Sequence, residues 1–145
     1  MTIKIAINGY GRIGRLITRA LYEGGHRDAF EIVGINDLVT VETAAHLTRH
    51  DTVHGKFAGD VSVEKGTLII NGDRIPFLSE RDPSKLPWKK LAVDVVHECT
   101  GLFCALDKAS AHLIAGAKKV LISAPANDAH ATIVYGVNHN TLKAT

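Results

Sequence analysis

The spacing of apolar residues changes period several times along the chain, and each change marks an element. Ile3, Ile5 and Ile7 alternate before a glycine turn, the period-two pattern of a short strand. After the turn Ile13, Leu16, Ile17, Ala20 and Leu21 recur at i, i+3, i+4, i+7 and i+8, which predicts a helix with that stripe buried. A second strand follows at 31–37. Residues 38–49 read as a helix with Thr40 as N-cap and Val41, Ala44, Ala45 and Thr48 near one face. From 61 to 79 the period returns to two. Val61 and Val63, Leu68 and Ile70, and Ile75 and Phe77 form three alternating runs separated by Lys65-Gly66 and Asn71-Gly72, an antiparallel meander that interrupts the strand–helix alternation. Residues 80–88 are a loop, because two prolines oppose regular structure until Trp88 can anchor the segment. A strand at 93–99 then runs into Thr100-Gly101. Leu106, Ala109, Leu113 and Ala117 mark a further helix that Gly116 helps to end, and strands are expected at 119–124, stopped by Pro125, and at 132–137.

The turn after the first strand carries the most chemistry. Gly9, Gly11 and Gly14 satisfy GxGxxG between a strand and a helix: Gly9 permits the bend, Gly11 lets a pyrophosphate approach bare backbone, and Gly14 lets the helix lie close on the strand. The helix start adds unpaired N–H groups and a partial charge of roughly +0.5 for the phosphates. Asp37 ends the second strand 23 residues past Gly14, near the place where a dinucleotide site needs a carboxylate for the adenosine ribose hydroxyls. It would repel a 2′-phosphate, and no Lys or Arg between residues 38 and 48 would attract one, so NAD is expected over NADP. These features predict an α/β fold: a Rossmann-type, doubly wound, mostly parallel sheet with an antiparallel meander insertion and its ligand at the carboxyl edge.

Composition narrows the class. At 145 residues and 46% hydrophobic content, the chain suits one dinucleotide-binding domain over 1–145. The 17 basic and 15 acidic residues are scattered, leaving a formal charge of +2, which points to neither nucleic acid nor membrane. No stretch approaches the ~20 apolar residues of a membrane span, and Lys4 interrupts the apolar start that a signal peptide would need. Two cysteines make no disulfide framework, so a reduced, cytoplasmic setting is expected. There is no internal repeat, low-complexity tract or linker.

Other candidate groups have ordinary readings. His46, His50 and His54 recur at four-residue spacing, as helical metal ligands can, but Asp51-Thr52 and Gly55 suggest that the helix ends before His54 and no acidic or thiol partner has ligand spacing; no metal is expected. Cys99 ends an apolar strand and reads as a small core residue. Cys104 precedes a helix, yet neither cysteine has an identifiable base. His97 reads as structural, His139 as a packing or loop residue, and Lys118-Lys119 as a solvated strand end. Arg12 is either an exposed first-turn residue or a phosphate contact.

Several unlinked stretches coincide with one family: Ile-Asn-Gly-Tyr-Gly-Arg-Ile-Gly-Arg at 7–15, Asn36-Asp37, His-Gly-Lys-Phe at 54–57, Glu-Arg-Asp-Pro at 80–83, Glu-Cys-Thr-Gly at 98–101, Ala-Lys-Lys-Val-Leu-Ile-Ser-Ala-Pro at 117–125 and Tyr-Gly-Val-Asn-His at 135–139. Together they resemble the N-terminal, NAD-binding part of phosphorylating glyceraldehyde-3-phosphate dehydrogenase over essentially the whole chain. The resemblance implies that Gly9, Arg12 and Ile13 cradle the pyrophosphate, with Gly11 and Gly14 completing the motif. It implies that Asn8 and Asp37 border the adenosine, that the Arg81 backbone lies by the adenine, and that Thr100, Gly101, Ser123 and Ala124 line the path to the nicotinamide. Tyr10, Cys104 and residues 126–130 depart from the usual family pattern. The erythrose-4-phosphate dehydrogenases look similar over this region.

The resemblance also implies a whole enzyme in which a thiolate adds to an aldehyde, hydride passes to NAD, and phosphate attacks the resulting thioester. The family nucleophile, in a Ser-Cys-Thr-Thr-Asn-Cys motif, is expected beyond Thr145, as are its base histidine, its substrate-phosphate arginines and its tetramer surface. No catalytic residue is therefore expected in these 145 residues, which alone should be inactive, should bind NAD weakly and should associate through exposed apolar surface. A different class stays open: a nucleotide- or RNA-binding module without turnover.

Overall fold

The computed structural model describes residues 1–144. β1 (Ile3–Asn8) can lie in the interior of the sheet because its side chains are apolar on both faces: Ile5 and Ile7 point into one core and Ala6 into the other. After the glycine turn, α1 (Arg12–Glu23) covers the first face and returns the chain to β2 (Phe30–Asn36), which pairs parallel with β1. α2 (Val41–Arg49) follows, its start capped by the Thr40 hydroxyl, which accepts from the Thr43 amide at 3.2 Å. His50 and His54 therefore lie outside the helix, and a small antiparallel ribbon joins β3 (His50–Asp51) to β4 (Gly55–Lys56).

The alternating segment forms β5 (Val61–Glu64), β6 (Thr67–Ile70) and β7 (Asp73–Leu78), antiparallel through two tight hairpins. Lys65-Gly66 and Asn71-Gly72 all have positive φ, as the primed turns of two-residue hairpins require. The meander is joined to the main sheet: β7 pairs parallel with β2 and serves as its third parallel strand. The chain next crosses β1 to form β8 (Val95–Glu98) and β9 (Lys119–Ile122), giving a seven-stranded order β5-β6-β7-β2-β1-β8-β9. The direction of winding reverses between β1 and β8, the position where an open α/β sheet leaves a crevice at its carboxyl edge. On the second face Leu86, Trp88, Val93, Val96, Ala115 and Ala117 form a separate core around Ala6, with Trp88 fully buried.

Three expectations require correction. The buried side of α1 is Gly14, Thr18, Arg19, Leu21 and Tyr22, while Ile13 is 49% exposed and Ala20 also faces outward. Gly14 sets this rotation: a β-carbon there would stand 2.2 Å from the Gly9 carbonyl oxygen, so the helix lies down on that face. The helix after β8 is broken at Ser110 into α3 (Leu106–Ala109) and α4 (Ala111–Ile114), and it buries His112 while Leu113 is exposed. Residues 132–137 form no strand. The Asn138 side chain satisfies the local backbone instead, accepting from the Val134 amide at 2.6 Å and donating to the Thr132 carbonyl at 3.0 Å, and Gly136 turns through φ +86°.

Candidate functional site

At the carboxyl edge, three neighbouring strands each end in a polar residue. Asn36 pairs in register with Asn8, and Asn8 with Glu98, so the three side chains share one face of the sheet. Beyond them the chain makes its turns. Gly9 stands at φ +93°, its amide donates to the Asn36 carbonyl at 2.8 Å, and a β-carbon on it would lie 2.7 Å from the Thr100 nitrogen. The glycine turn and the Thr100 turn are thus packed backbone to backbone, which only glycine at position 9 allows.

The helix start is left open for an acceptor. Gly11 is the N-cap of α1 and supplies no side-chain bond, and the first turn carries no acidic residue. Nothing lies within 4 Å of the place where a Gly11 β-carbon would be, so an anion can come against bare backbone there. Beside this turn the Asp37 carboxylate accepts from the Tyr10 amide at 2.6 Å and from the Val39 amide at 3.1 Å. Each oxygen keeps capacity for a further donor. Open amides, a bare turn and a carboxylate at the adjacent strand tip fit the pyrophosphate and ribose of a dinucleotide.

The remaining residues singled out from sequence divide by environment. Ile13 is exposed in the first turn of α1. Arg12 is also exposed and leans toward Asp51 at 3.4 Å; bonds from His54 and Val53 outweigh the opposing effect of desolvation and, with Arg12, hold Asp51 below its ordinary value. Asn36 grips both backbone groups of Glu80, at 2.9 Å to its carbonyl and 2.8 Å from its amide, so exposed Arg81 is presented beside the end of β2. Gly101 is exposed at φ +75°, Ser123 is exposed after β9, and Ala124 is half-buried. The Asn8 side chain points inward: its amide nitrogen donates to Glu98 at 2.7 Å and its oxygen accepts from Asn36 at 2.7 Å. Its influence on a ligand is therefore through the sheet end it holds.

Glu98 and His112 are missed by sequence reasoning as a pair. Both are fully buried, with His112 Nε2 2.6 Å from Glu98 Oε2 and Trp88 Nε1 donating to His112 Nδ1 at 2.9 Å. Burial alone would push the Glu98 carboxyl up, but hydrogen bonds from His112, Asn8 and Thr100 outweigh it and hold the group below its ordinary value. The available signal was the recurrence of polar residues at the ends of three apolar strands. Of the cysteines, Cys99 has its thiol pushed up by burial, against the opposing bond with Ser123, which suits a packed residue and not an activated nucleophile. The opposite end of the sheet carries a hollow of about 450 Å³, in which Asp73 accepts from Arg27 at 2.5 Å and from Tyr22 at 3.0 Å.

Comparison with known proteins agrees with this geometry. The model of the family described as glyceraldehyde 3-phosphate dehydrogenase, NAD binding domain, matches residues 3–106. The chromosomal glyceraldehyde-3-phosphate dehydrogenase of Cupriavidus necator is 64% identical over 146 residues, which takes in all of this chain and 44% of the relative. The glyceraldehyde-3-phosphate dehydrogenase of Pseudomonas aeruginosa is 56% identical over 145 residues, with 100% of this chain and 43% of the relative covered. That of Zymomonas mobilis is 54% identical over 145 residues, covering 99% of this chain and 43% of the relative. The chain thus spans less than half the length of these relatives.

Proposed function

Given that the chain belongs to the glyceraldehyde 3-phosphate dehydrogenase NAD-binding domain family, we propose that its carboxyl-edge crevice holds NAD for the oxidation of a small phosphorylated aldehyde by the whole protein. The observation that carries this reading is the union of bare glycine turn and carboxylate, in which Tyr10 donates to Asp37 at 2.6 Å beside the uncapped start of α1. Residues 1–145 act as one binding domain. Within it Gly9, Gly11, Gly14, Arg12 and Ile13 form the pyrophosphate cradle, and Asp37 receives the adenosine ribose hydroxyls. Asn8 braces the cradle from below, Arg81 borders the adenine, and Thr100, Gly101, Ser123 and Ala124 line the remainder of the path.

NAD supplies the hydride acceptor; this chain supplies binding and orientation. A carboxylate accepting two ribose hydroxyls gains charge-assisted bonds worth roughly 1.5–3 kcal/mol each, and the same charge disfavours a 2′-phosphate. The nucleophile and the substrate-binding groups belong to a catalytic domain outside these residues. The full protein is a cytoplasmic homo-oligomer, a tetramer as the family implies, and the exposure of large apolar side chains such as Ile114 (79%), Tyr135 (89%) and Val137 (77%) supports association of this chain with further protein surface.

A turnover assay tests this. The full protein mixed with glyceraldehyde 3-phosphate, NAD and phosphate is expected to produce reduced cofactor, NADP is expected to replace NAD poorly, and residues 1–145 alone are expected to give no turnover. Turnover by the isolated chain, or preference for NADP, would overturn the assignment. Faster reaction with erythrose 4-phosphate would redirect the substrate while leaving the cofactor site intact.

A further inference from the structure

The buried polar row beneath the crevice is constrained in a way that ordinary packing does not require. Four donors converge on Glu98: His112 Nε2 at 2.6 Å and Asn8 Nδ2 at 2.7 Å on Oε2, and the Thr100 amide at 2.9 Å and Thr100 hydroxyl at 2.5 Å on Oε1. Their directions are fixed from outside. Trp88 Nε1 can only donate, so His112 Nδ1 accepts and the ring hydrogen sits on Nε2, pointed at Glu98. Asn8 is fixed by Asn36, whose own orientation is set by its two bonds to the Glu80 backbone. A backbone amide cannot reverse its role either.

Position 98 must therefore accept at both ends, and an amide would fail in either orientation. With its NH₂ toward Oε2's place it meets the His112 and Asn8 donors; turned round, it meets the Thr100 amide. What this arrangement holds is the Thr100 turn, and the Thr100 backbone is the surface against which Gly9 packs, with 2.7 Å from a β-carbon at Gly9 to the Thr100 nitrogen. Asp37 stands on the β2 side of Gly9 and Thr100 on the β8 side. A dinucleotide whose adenosine ribose sits at Asp37 must carry its second nucleoside over the Thr100 side.

Resting on the reading of this crevice as the NAD site, we propose that Glu98 is a positioning residue for the second nucleoside of the bound nucleotide. The relay Trp88–His112–Glu98 holds Thr100 and so sets the distance between the two walls of the crevice. Asn36 meets Glu98 only through Asn8, whereas its grip on Glu80 is made by two bonds of its own, so Glu98 acts on the Thr100 side directly and on the adenosine side at one remove.

The test compares NAD with AMP, which occupies only the adenosine side, by calorimetry on the full protein. Glu98→Gln is expected to weaken NAD about tenfold, the scale of one lost charge-assisted bond, and to change AMP less than about twofold on the same scale. His112→Leu removes a donor to Glu98 and is expected to shift the NAD-to-AMP ratio the same way. His112→Gln offers an oxygen to Trp88 and an N–H to Glu98, and is expected to restore the ratio; this pair decides the matter if Glu98→Gln fails to fold. Ring nitrogen NMR of the unaltered protein is expected to show His112 as the Nε2–H form. Equal losses for NAD and AMP, no loss in either variant, no recovery with His112→Gln, or a hydrogen on Nδ1 would each overturn the proposal. Failure of the unaltered protein to bind NAD would instead overturn the cofactor site itself.

Discussion

The Tyr10 amide donates to Asp37 Oδ2 at 2.6 Å, tying the glycine turn after β1 to the tip of β2. This bond adds to the one from the Gly9 amide to the Asn36 carbonyl at 2.8 Å, and it sets the carboxylate beside the place where phosphates would approach α1. Replacing Asp37 with Ala is expected to weaken NAD by at least about 10-fold, since loss of even one of its two charge-assisted bonds is worth about 1.5–3 kcal/mol. The gap between NAD and NADP should narrow as well. Calorimetric titration with both nucleotides checks this, and unchanged affinities would remove Asp37 from the site.

Gly11 and Gly14 should separate binding from stability. A methyl group at Gly14 would meet the Gly9 carbonyl at 2.2 Å, so Gly14→Ala is expected to cost at least about 1–3 kcal/mol in urea unfolding. At Gly11 the same methyl meets nothing, and φ of −73° is open to any residue. Gly11→Ala should leave stability within about 0.5 kcal/mol yet weaken NAD by about tenfold, since it fills the approach to the bare backbone. A stable Gly14→Ala protein, or full affinity in Gly11→Ala, would contradict the packing described.

His97, on β8, contributes to the pH dependence of folding. Burial pulls its ring below the ordinary value of 6.5, so on acidification the unfolded chain takes up the proton first. Its contribution to stability is complete above 6.5 and is lost as pH falls from there through the lower folded value. His97→Gln should therefore show a smaller drop in urea midpoint between about pH 7.5 and 5.5 than the unaltered protein. Equal drops in both would mean that His97 carries the same proton affinity folded and unfolded.

The sequence was most legible where the cause is local. Asn71-Gly72 announces its hairpin because both residues must take positive φ, as they do at +48° and +86°. Asp37 could be placed because strand, turn and helix lengths fix how far it lies from the glycine turn. The buried face of α1 was harder, since the contact of Gly14 with the Gly9 carbonyl, and not the richest apolar stripe, decides how the helix lies. The expected strand at 132–137 had suitable alternation but is closed on itself by Asn138. The Trp88–His112–Glu98 relay was invisible for another reason: His112 lies 24 residues from Trp88 and 14 from Glu98, and only the fold brings their hydrogen-bonding roles into register.

The most direct measurement is a crystal structure of the full protein grown with NAD. The expected result places pyrophosphate oxygens within hydrogen-bond distance of the first-turn amides of α1 and a ribose diol on Asp37, with the chain crossing Gly9 toward Thr100. Nucleotide density at any other surface, or a diol oriented away from Asp37, would contradict it.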